Sequence, residues 1–97
     1  MSKLLKFVII GFDGPEGEMK RKIHRMAHLA RIEDLSQKGR IVLAGPMTDK
    51  RGSIIVLEAA SLDEAEHFAR TDPYTVYGVF ESVEVHPFSV VFPKDAS

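Results

Sequence analysis

Two segments of this sequence are apolar at odd and even positions alike, and they limit the possible folds more than any other feature. They run from Leu4 to Phe12 and from Ser53 to Ala59, and both are rich in β-branched or aromatic residues. A strand with apolar side chains on both faces needs a covering layer on each side, so it belongs in the interior of a sheet. The sequence therefore predicts a sheet with two central strands.

A long segment without glycine or proline follows the first strand and predicts a helix of about five turns. It runs from Glu18 to Lys38, and Gly39 lies where a left-handed C-cap belongs. Two apolar stripes on this helix predict that one side packs on the sheet, while the other lies among loops or contacts a second subunit. The first stripe comprises Met19, Ile23, Met26, Ala27 and Ala30, and the second comprises Leu29, Ile32 and Leu35, with His28 at its edge.

A hairpin is predicted after this helix. Arg40 to Ala44 has the pattern of a strand that Gly45-Pro46 ends, because proline supplies no amide hydrogen to a sheet. A polar turn at Asp49 to Gly52 leads into the strand Ser53 to Ala59, which we expect to run antiparallel to its predecessor.

A second helical region follows the hairpin. Ser61-Leu62-Asp63-Glu64 matches a capping box and predicts a helix that ends near Arg70. Asp72-Pro73 interrupts the pattern, and Pro73 to Tyr77 predicts one further helical turn, ended by Gly78.

The last strand completes the order β-α-β-β-α-β, which is typical of a ferredoxin-like α+β fold with two helices on one face of a four-stranded antiparallel sheet. This strand is predicted from Phe80 to Phe92, on an edge, with a bulge at Pro87, and Lys94 to Ser97 is predicted to fray. Residues 1–97 are expected to form one domain. Because the central strands are apolar on both faces, the helix-free face is predicted to pair with a second copy in a homodimer with a barrel-like centre.

Composition excludes several classes of function. The 13 lysine and arginine residues nearly balance 14 aspartate and glutamate residues, so no overall field attracts nucleic acid or an anionic membrane. The basic turn Lys20-Arg21-Lys22 is more simply a solvated helical face than a nucleic-acid footprint. With no cysteine, no membrane-spanning apolar run and no signal-peptide pattern, we expect a cytoplasmic protein without membrane or nucleic-acid partners.

Cofactor and metal motifs are also missing from the sequence. It contains no glycine-rich phosphate loop, no nucleophile elbow and no zinc signature, so no cofactor is predicted. His24 and His28 have the i, i+4 spacing of two metal ligands, but no recognisable third ligand accompanies them. We therefore predict no metal site and expect His24 at the surface.

Other conspicuous residues have structural interpretations that compete with functional ones. Asp72 before Pro73 is a preferred helix cap, although one carboxylate oxygen can cap while the other accepts a hydrogen bond from an imidazole. Gly45 and Gly52-Ser53 bracket the hairpin and are explained by turn chemistry.

The chain resembles the YciI (YCII-related) family in motifs that follow one another in the same order from Ala27 to Phe92. The resemblance implies a ferredoxin-like fold related to the dimeric α/β barrels such as muconolactone isomerase, and a His-Asp pair as active site, which falls on His28 and Asp72. A chlorohydroxyhydroquinone dehydrochlorinase of the same superfamily implies that the scaffold can host elimination. The matching residues are Ala27-His28-Leu29-Ala30-Arg31, Gly39-Arg40, Ala44-Gly45-Pro46-Met47, Gly52-Ser53, Ser61-Leu62, Asp72-Pro73-Tyr74, Gly78-Val79, Val85 and Pro87-Phe88.

The function predicted from this resemblance is isomerisation or elimination on a small cyclic or aromatic compound, with His28 as general acid/base and Asp72 orienting it. A non-catalytic domain that binds a small ligand is the alternative, because one scaffold hosts many functions. The predicted ligand-binding residues are Ser53 and Tyr74 as donors to an oxyanion, Arg25 and Arg31 as partners of an anionic group, and Gly45.

Overall fold

The computed structural model describes residues 4–94 and contains one four-stranded antiparallel sheet with helices on one side. The predicted α+β ferredoxin-like fold is therefore confirmed. Residues 95–97 of the predicted C-terminal tail lie outside the described residues. The strands are β1 (Leu5–Asp13), β2 (Ile41–Pro46), β3 (Gly52–Ala59) and β4 (Phe80–Phe88), and the helices are α1 (Gly17–Gln37), α2 (Leu62–Thr71) and α3 (Pro73–Val76).

The strand order β2-β3-β1-β4 places the two doubly apolar strands, β1 and β3, in the interior of the sheet, as predicted. Phe7 lies opposite Leu57 and Ile9 opposite Ile55, and these side chains face the helices, where Ala65 and Ala69 of α2 cover them. Leu57 is only 1% exposed. The core thus lies between the sheet and the helical layer, and it holds the sheet residues near the functional site in place.

Helix α1 uses only one of its two apolar stripes against the sheet. Leu35 is buried and Ile32 packs against the core, whereas Met19, Ile23 and Met26 of the other stripe are exposed. The helix ends as predicted, because Gly39 has a φ of +73°, a left-handed conformation that glycine adopts without strain.

Strand β2 continues two residues beyond the predicted end at Ala44. Gly45 pairs with Ile54 and Pro46 with Ser53, and an edge strand tolerates this proline because its missing amide hydrogen need not face a neighbour. The hairpin then turns through Met47 to Lys50. The ends of β2 and β3 thus extend towards the N-terminal half of α1.

Strand β4 is an edge strand, as predicted, but the predicted bulge at Pro87 and the extension to Phe92 are wrong. Pro87 pairs in register with Phe7, the strand ends at Phe88, and the register shifts at Glu81 instead. A Cβ atom on Gly11 would lie 2.5 Å from the Phe80 ring, so this ring packs directly over the glycine. The extra residue at Glu81 accompanies this placement of Phe80 against the sheet.

Within residues 4–94, no helix combines the length and the apolar character that crossing a membrane requires.

Candidate functional site

A buried hydrogen bond joins His28, in the middle of α1, to Asp72, between α2 and α3. The distance from His28 Nδ1 to Asp72 Oδ1 is 2.8 Å, and the two residues are 8% and 4% exposed. His28 is buried because it continues the stripe of Ile32 and Leu35 towards the N-terminus of α1. The structure thus brings together two residues that are 44 positions apart in the sequence.

Asp72 is also the N-cap of α3, and a single carboxylate oxygen both caps this helix and contacts His28. Its Oδ1 atom accepts from the backbone N–H of Tyr74 at 2.8 Å and contacts His28 Nδ1. The sequence-based expectation of one oxygen for each task was wrong in this detail, because α3 starts close enough to the ring for Oδ1 to serve both. An ionised carboxylate only accepts hydrogen bonds, so Nδ1 carries the hydrogen and Nε2 of the neutral ring is an acceptor.

The His28 ring stacks on the Tyr74 ring, and this contact holds the imidazole in one plane. The ring centroids are 3.9 Å apart and the planes differ by 3°. Tyr74 in turn packs edge-on against Phe80, at 5.7 Å, and Phe80 lies over Gly11 of β1. A column of aromatic rings therefore connects the imidazole to the centre of the sheet.

His24, one helical turn before His28, makes a similar contact. Its ring stacks on Tyr77 with centroids 4.1 Å apart, so the i, i+4 spacing of the histidines docks α1 onto the α3 segment. Within the part of the chain that the structure describes, no group of three or more histidine, cysteine, aspartate or glutamate residues is placed to hold a metal ion.

A cavity of about 560 Å³ opens beside the imidazole, between the N-terminal half of α1 and the ends of β2 and β3. Its volume lies in the range of small-molecule sites. His28 lines this cavity, whereas Asp72 does not and lies behind the ring. Nε2 makes no hydrogen bond to any residue between 4 and 94, so it remains available to a ligand.

Four of the five predicted ligand-binding residues line this cavity: Arg25, Gly45, Ser53 and Tyr74. Ser53 and Tyr74 are buried, and Arg25 is exposed. A Cβ atom on Gly45 would meet nothing within 4 Å, so the glycine leaves this part of the wall open.

Arg31 is the predicted residue that the structure does not bring into this cavity. Its guanidinium donates to Thr71 Oγ1 and lies over the Phe68 ring at 5.6 Å, and its Nη1 atom is buried without a hydrogen-bond partner in the described residues. Burial lowers the pKa of Arg31, while the charge of Asp72 acts in the opposite direction. Arg31 therefore lies near Asp72, away from the cavity.

Arg21 and Asp13 also line the cavity, and neither was among the predicted site residues. Arg21 donates from Nε and Nη2 to the two oxygens of Asp13 at 2.6 and 2.8 Å, and hydrogen bonding to Asp13 raises the pKa of Arg21 although burial opposes this. Arg21 precedes His28 by seven residues, which places both on one helical face two turns apart. This spacing was the sequence signal that could have identified Arg21 as a site residue. It was overlooked because Arg21 lies between two lysines and was interpreted with them as a solvated basic turn.

The fold and site define a class: ferredoxin-like α+β domains in which a carboxylate orients a histidine at the wall of a cavity large enough for a small molecule. Residues 5–89 match the model of the YCII-related domain. The chain belongs to this family, as its sequence motifs indicated.

Relatives of similar length support this assignment. The chain is 40% identical over 96 residues to Protein YciI of Escherichia coli O6:H1, with 89% of this chain and 98% of that protein covered. It is 34% identical, with the same coverage, to an uncharacterized protein of Haemophilus influenzae.

A solved structure with a similar fold comes from a named enzyme. It is the 5-chloro-2-hydroxyhydroquinone dehydrochlorinase TftG of Burkholderia phenoliruptrix AC1100, in complex with 2,5-dihydroxybenzoquinone. The TM-score is 0.78 and the identity 32%, over 88% of this chain and 94% of that one.

Proposed function

We propose that this protein is an enzyme that moves a proton on a small cyclic or aromatic compound, with His28 as general acid/base and Asp72 as the residue that orients it. The observation that carries this proposal is the 2.8 Å contact between the buried His28 and Asp72 side chains at the wall of a 560 Å³ cavity. General acid/base catalysis requires an ionisable group held within reach of a bound ligand, and this arrangement supplies one.

The tautomer determines the direction of proton transfer. Nδ1–H of His28 donates to Asp72, so Nε2 takes a proton from an O–H or C–H group of the ligand. The electron pair left behind shifts a double bond or expels a leaving group. The proton then returns to another atom of the ligand in an isomerisation, or passes to water in an elimination. Asp72 stabilises the imidazolium that forms between these steps.

The neighbouring residues fit the charge that develops during such a step. The hydroxyls of Ser53 and Tyr74 donate to an oxygen that becomes negative, and Arg25 at the cavity wall attracts an anionic substituent. The likeness to a dehydrochlorinase in complex with 2,5-dihydroxybenzoquinone supports a cyclic ligand and elimination chemistry.

The proposal predicts that this cavity binds 2,5-dihydroxybenzoquinone and that the protein releases chloride from 5-chloro-2-hydroxyhydroquinone or converts a related phenol or lactone. Binding is measured by calorimetry and turnover by chloride release and absorbance. Gly45→Phe is expected to abolish both, because its ring enters the open part of the cavity.

Val42→Phe is the matched control for this experiment, since it adds the same ring to β2 at a position that does not line the cavity. Binding that Gly45→Phe leaves intact would place the ligand elsewhere and contradict the proposal.

A non-catalytic ligand-binding domain is the second candidate, and one observation favours it. Asp72 caps α3 and His28 stacks on Tyr74, so both residues stabilise the fold without any reaction. In that case a change at His28 alters affinity alone, whereas in an enzyme it alters turnover at similar affinity.

We also propose that the protein is a homodimer through the helix-free face of its sheet. Phe7 and Ile9 face the helices, so the alternate residues Val8 and Ile10 of β1 point to the opposite side. They lie beside Val56 and Ile54 of β3, which makes the centre of that face apolar. Such a face is stable in water when a second copy covers it.

Ile10→Lys is expected to convert the dimer to a monomer, because the charge would be buried at the centre of the interface. Light scattering after size-exclusion chromatography measures the mass, and circular dichroism checks the fold. Ile23→Lys changes an isoleucine that is 68% exposed on α1 and is expected to leave the dimer intact. A monomeric wild type at micromolar concentration, or dissociation by Ile23→Lys instead, would rule out the sheet-face dimer.

A further inference from the structure

Arg31 buries one end of its guanidinium in the protein interior. Its Nη2 atom donates to the Thr71 hydroxyl, which in turn donates to the His67 carbonyl at 2.8 Å. The guanidinium carbon lies over the Phe68 ring, 5.6 Å from its centre. With Nη2 held in this way, Nη1 is buried and has no hydrogen-bond partner among residues 4–94. Buried polar atoms are almost always hydrogen-bonded, so this donor needs an acceptor.

Asp72 likewise has one oxygen without a partner. Its Oδ1 atom is occupied by the Tyr74 amide and His28 Nδ1, whereas no hydrogen bond from residues 4–94 reaches Oδ2. Asp72 is only 4% exposed, and the imidazole offers it no positive charge while His28 is neutral. A buried carboxylate in that state needs a positive charge from another residue.

Arg31 carries a positive charge that acts on this carboxylate. Burial lowers the pKa of Arg31, whereas the charge of Asp72 raises it, so the two groups interact. The two side chains form no direct ion pair within the described part of the chain. They therefore interact across a gap.

Arg31 and Asp72 both line a small pocket between α1, α2 and the sheet, the Arg31 pocket. Its volume is about 10 Å³, and its polar lining residues among those described are Arg31, Asp72 and Thr75. A cavity holds one water molecule from roughly 10 Å³ upwards, provided that two to four polar groups can bond to it. Thr75 Oγ1 donates to the Ala69 carbonyl at 2.7 Å, so its lone pairs can accept from a water. The Arg31 pocket therefore has the size and the polar groups of a site for one water.

We propose that a water molecule in the Arg31 pocket accepts a hydrogen bond from Arg31 Nη1 and donates to Asp72 Oδ2 and Thr75 Oγ1. Arg31 is then a positioning residue, which acts on His28 through this water and Asp72. The inference rests on the proposed function, because it assigns the group that prepares His28 for proton transfer. It gives Arg31, which does not line the cavity beside the imidazole, a role behind the catalytic pair.

The positive charge of Arg31 keeps His28 able to accept a proton. It balances Asp72 while the ring is neutral, so the carboxylate stays ionised and Nδ1–H keeps its acceptor. It also repels an imidazolium, so a second proton binds to the ring less readily than it would beside Asp72 alone. The water on Oδ2 holds the carboxylate against rotation. Nε2 thus stays an unprotonated acceptor at the cavity wall.

Nitrogen NMR of the protein with isotope-labelled histidine tests this role, and His28→Asn identifies the His28 signals by their loss. Arg31→Met removes the guanidinium charge. The pH at which half of the His28 rings carry a second proton is expected to rise by about one unit, because the repulsion from Arg31 is gone. An unchanged midpoint in folded Arg31→Met would overturn the inference.

Other titratable groups also face His28 and are the same in this variant. Tyr74 stacks on the imidazole, and the Arg21 guanidinium lies 5.0 Å from the Tyr74 ring centre and is balanced by Asp13. Arg25 lines the same cavity as His28. Since Arg31→Met leaves all of them in place, a shifted midpoint reports the loss of Arg31.

Two further variants keep this titration interpretable. Arg70→Met makes the same substitution at an exposed arginine of α2 and is expected to leave the midpoint unchanged. Arg31→Lys keeps the charge and is expected to restore the wild-type midpoint. A shift in Arg31→Lys as large as that in Arg31→Met would contradict the role of the charge, and circular dichroism checks the fold of each variant.

A high-resolution crystal structure of the wild type tests the water without any variant. A water is expected within hydrogen-bond distance of Arg31 Nη1, Asp72 Oδ2 and Thr75 Oγ1. A direct bond between Arg31 and Asp72, or an Arg31 pocket without a water, would overturn the proposed bridge.

The titration needs no substrate, so it separates this inference from the proposed function. If Arg31→Met shifts the midpoint but the wild type converts no compound, Arg31 acts on His28 while the proposed function fails. If His28→Asn loses turnover but Arg31→Met neither shifts the midpoint nor lowers kcat, the catalytic role of His28 stands and the inference fails.

Discussion

His28→Asn is expected to lower kcat/KM by about 10²–10⁴-fold on any compound that the wild type converts, with little change in ligand affinity. The asparagine amide nitrogen can take the place of Nδ1 and keep the hydrogen bond to Asp72, which in the wild type is 2.8 Å long. It has no group at the position of Nε2 that can accept and return a proton. Steady-state kinetics and calorimetry on the same preparation measure the two quantities.

His24→Asn is the matched control for this prediction. It removes a second histidine from the same face of α1, one that also stacks on a tyrosine, at 4.1 Å from Tyr77. Its turnover is expected to equal that of the wild type. Loss of affinity in His28→Asn without loss of turnover would favour the ligand-binding alternative. Equal losses of turnover in His28→Asn and His24→Asn would indicate that the histidines serve to pack α1 against the α3 segment rather than to transfer a proton.

Gly52→Ala is expected to have the largest effect on stability. The new Cβ atom would lie 2.0 Å from the backbone oxygen of Gly11 in the adjacent strand, and 3.1 Å from its carbonyl carbon. Backbone atoms of a central strand cannot rotate away, so β1 and β3 must separate. We expect a loss of about 3 kcal/mol in the free energy of unfolding and a Tm lower by more than about 10 °C.

Gly45→Ala provides the comparison for this change. It adds the same methyl group one strand away, where nothing lies within 4 Å of the new atom. It is expected to leave stability unchanged or slightly higher, since alanine restricts the unfolded chain. Urea unfolding followed by circular dichroism measures the stability of both variants. A similar stability for the two would show that β1 and β3 accommodate the new methyl group at Gly52, and would contradict the prediction.

The sequence predicted the fold because the decisive patterns are local and agree with one another. The apolar positions of Phe7 to Ile10 and Ile54 to Leu57 placed both strands in the sheet interior. Ser61 caps α2 at the amide of Glu64, as the local motif predicts. The end of the last strand was predicted less well, because the alternation of apolar residues continues to Phe92 whereas the pairing with β1 stops at Phe88.

The family resemblance is what linked His28 to Asp72, whereas Arg25 was predicted without it and also lines the cavity. For Arg21 the only signal was its spacing of seven residues from His28, and Asp13 gave none. Asp13 looked like part of a turn and Arg21 like one member of a charged cluster, and their bond to each other becomes visible only when α1 folds back over β1. The contact from Arg21 to Ser53, across 32 residues, depends on tertiary structure in the same way.

The single Asp72 oxygen that caps α3 and contacts the imidazole also determines how a bound ligand can interact with the His28-Asp72 pair. A carboxylate oxygen has two lone pairs, and the Tyr74 amide and His28 Nδ1 already occupy both on Oδ1. Asp72 itself lies outside the cavity wall. A ligand in the cavity therefore meets the His28-Asp72 pair at the imidazole, and the carboxylate acts on that ligand through the ring.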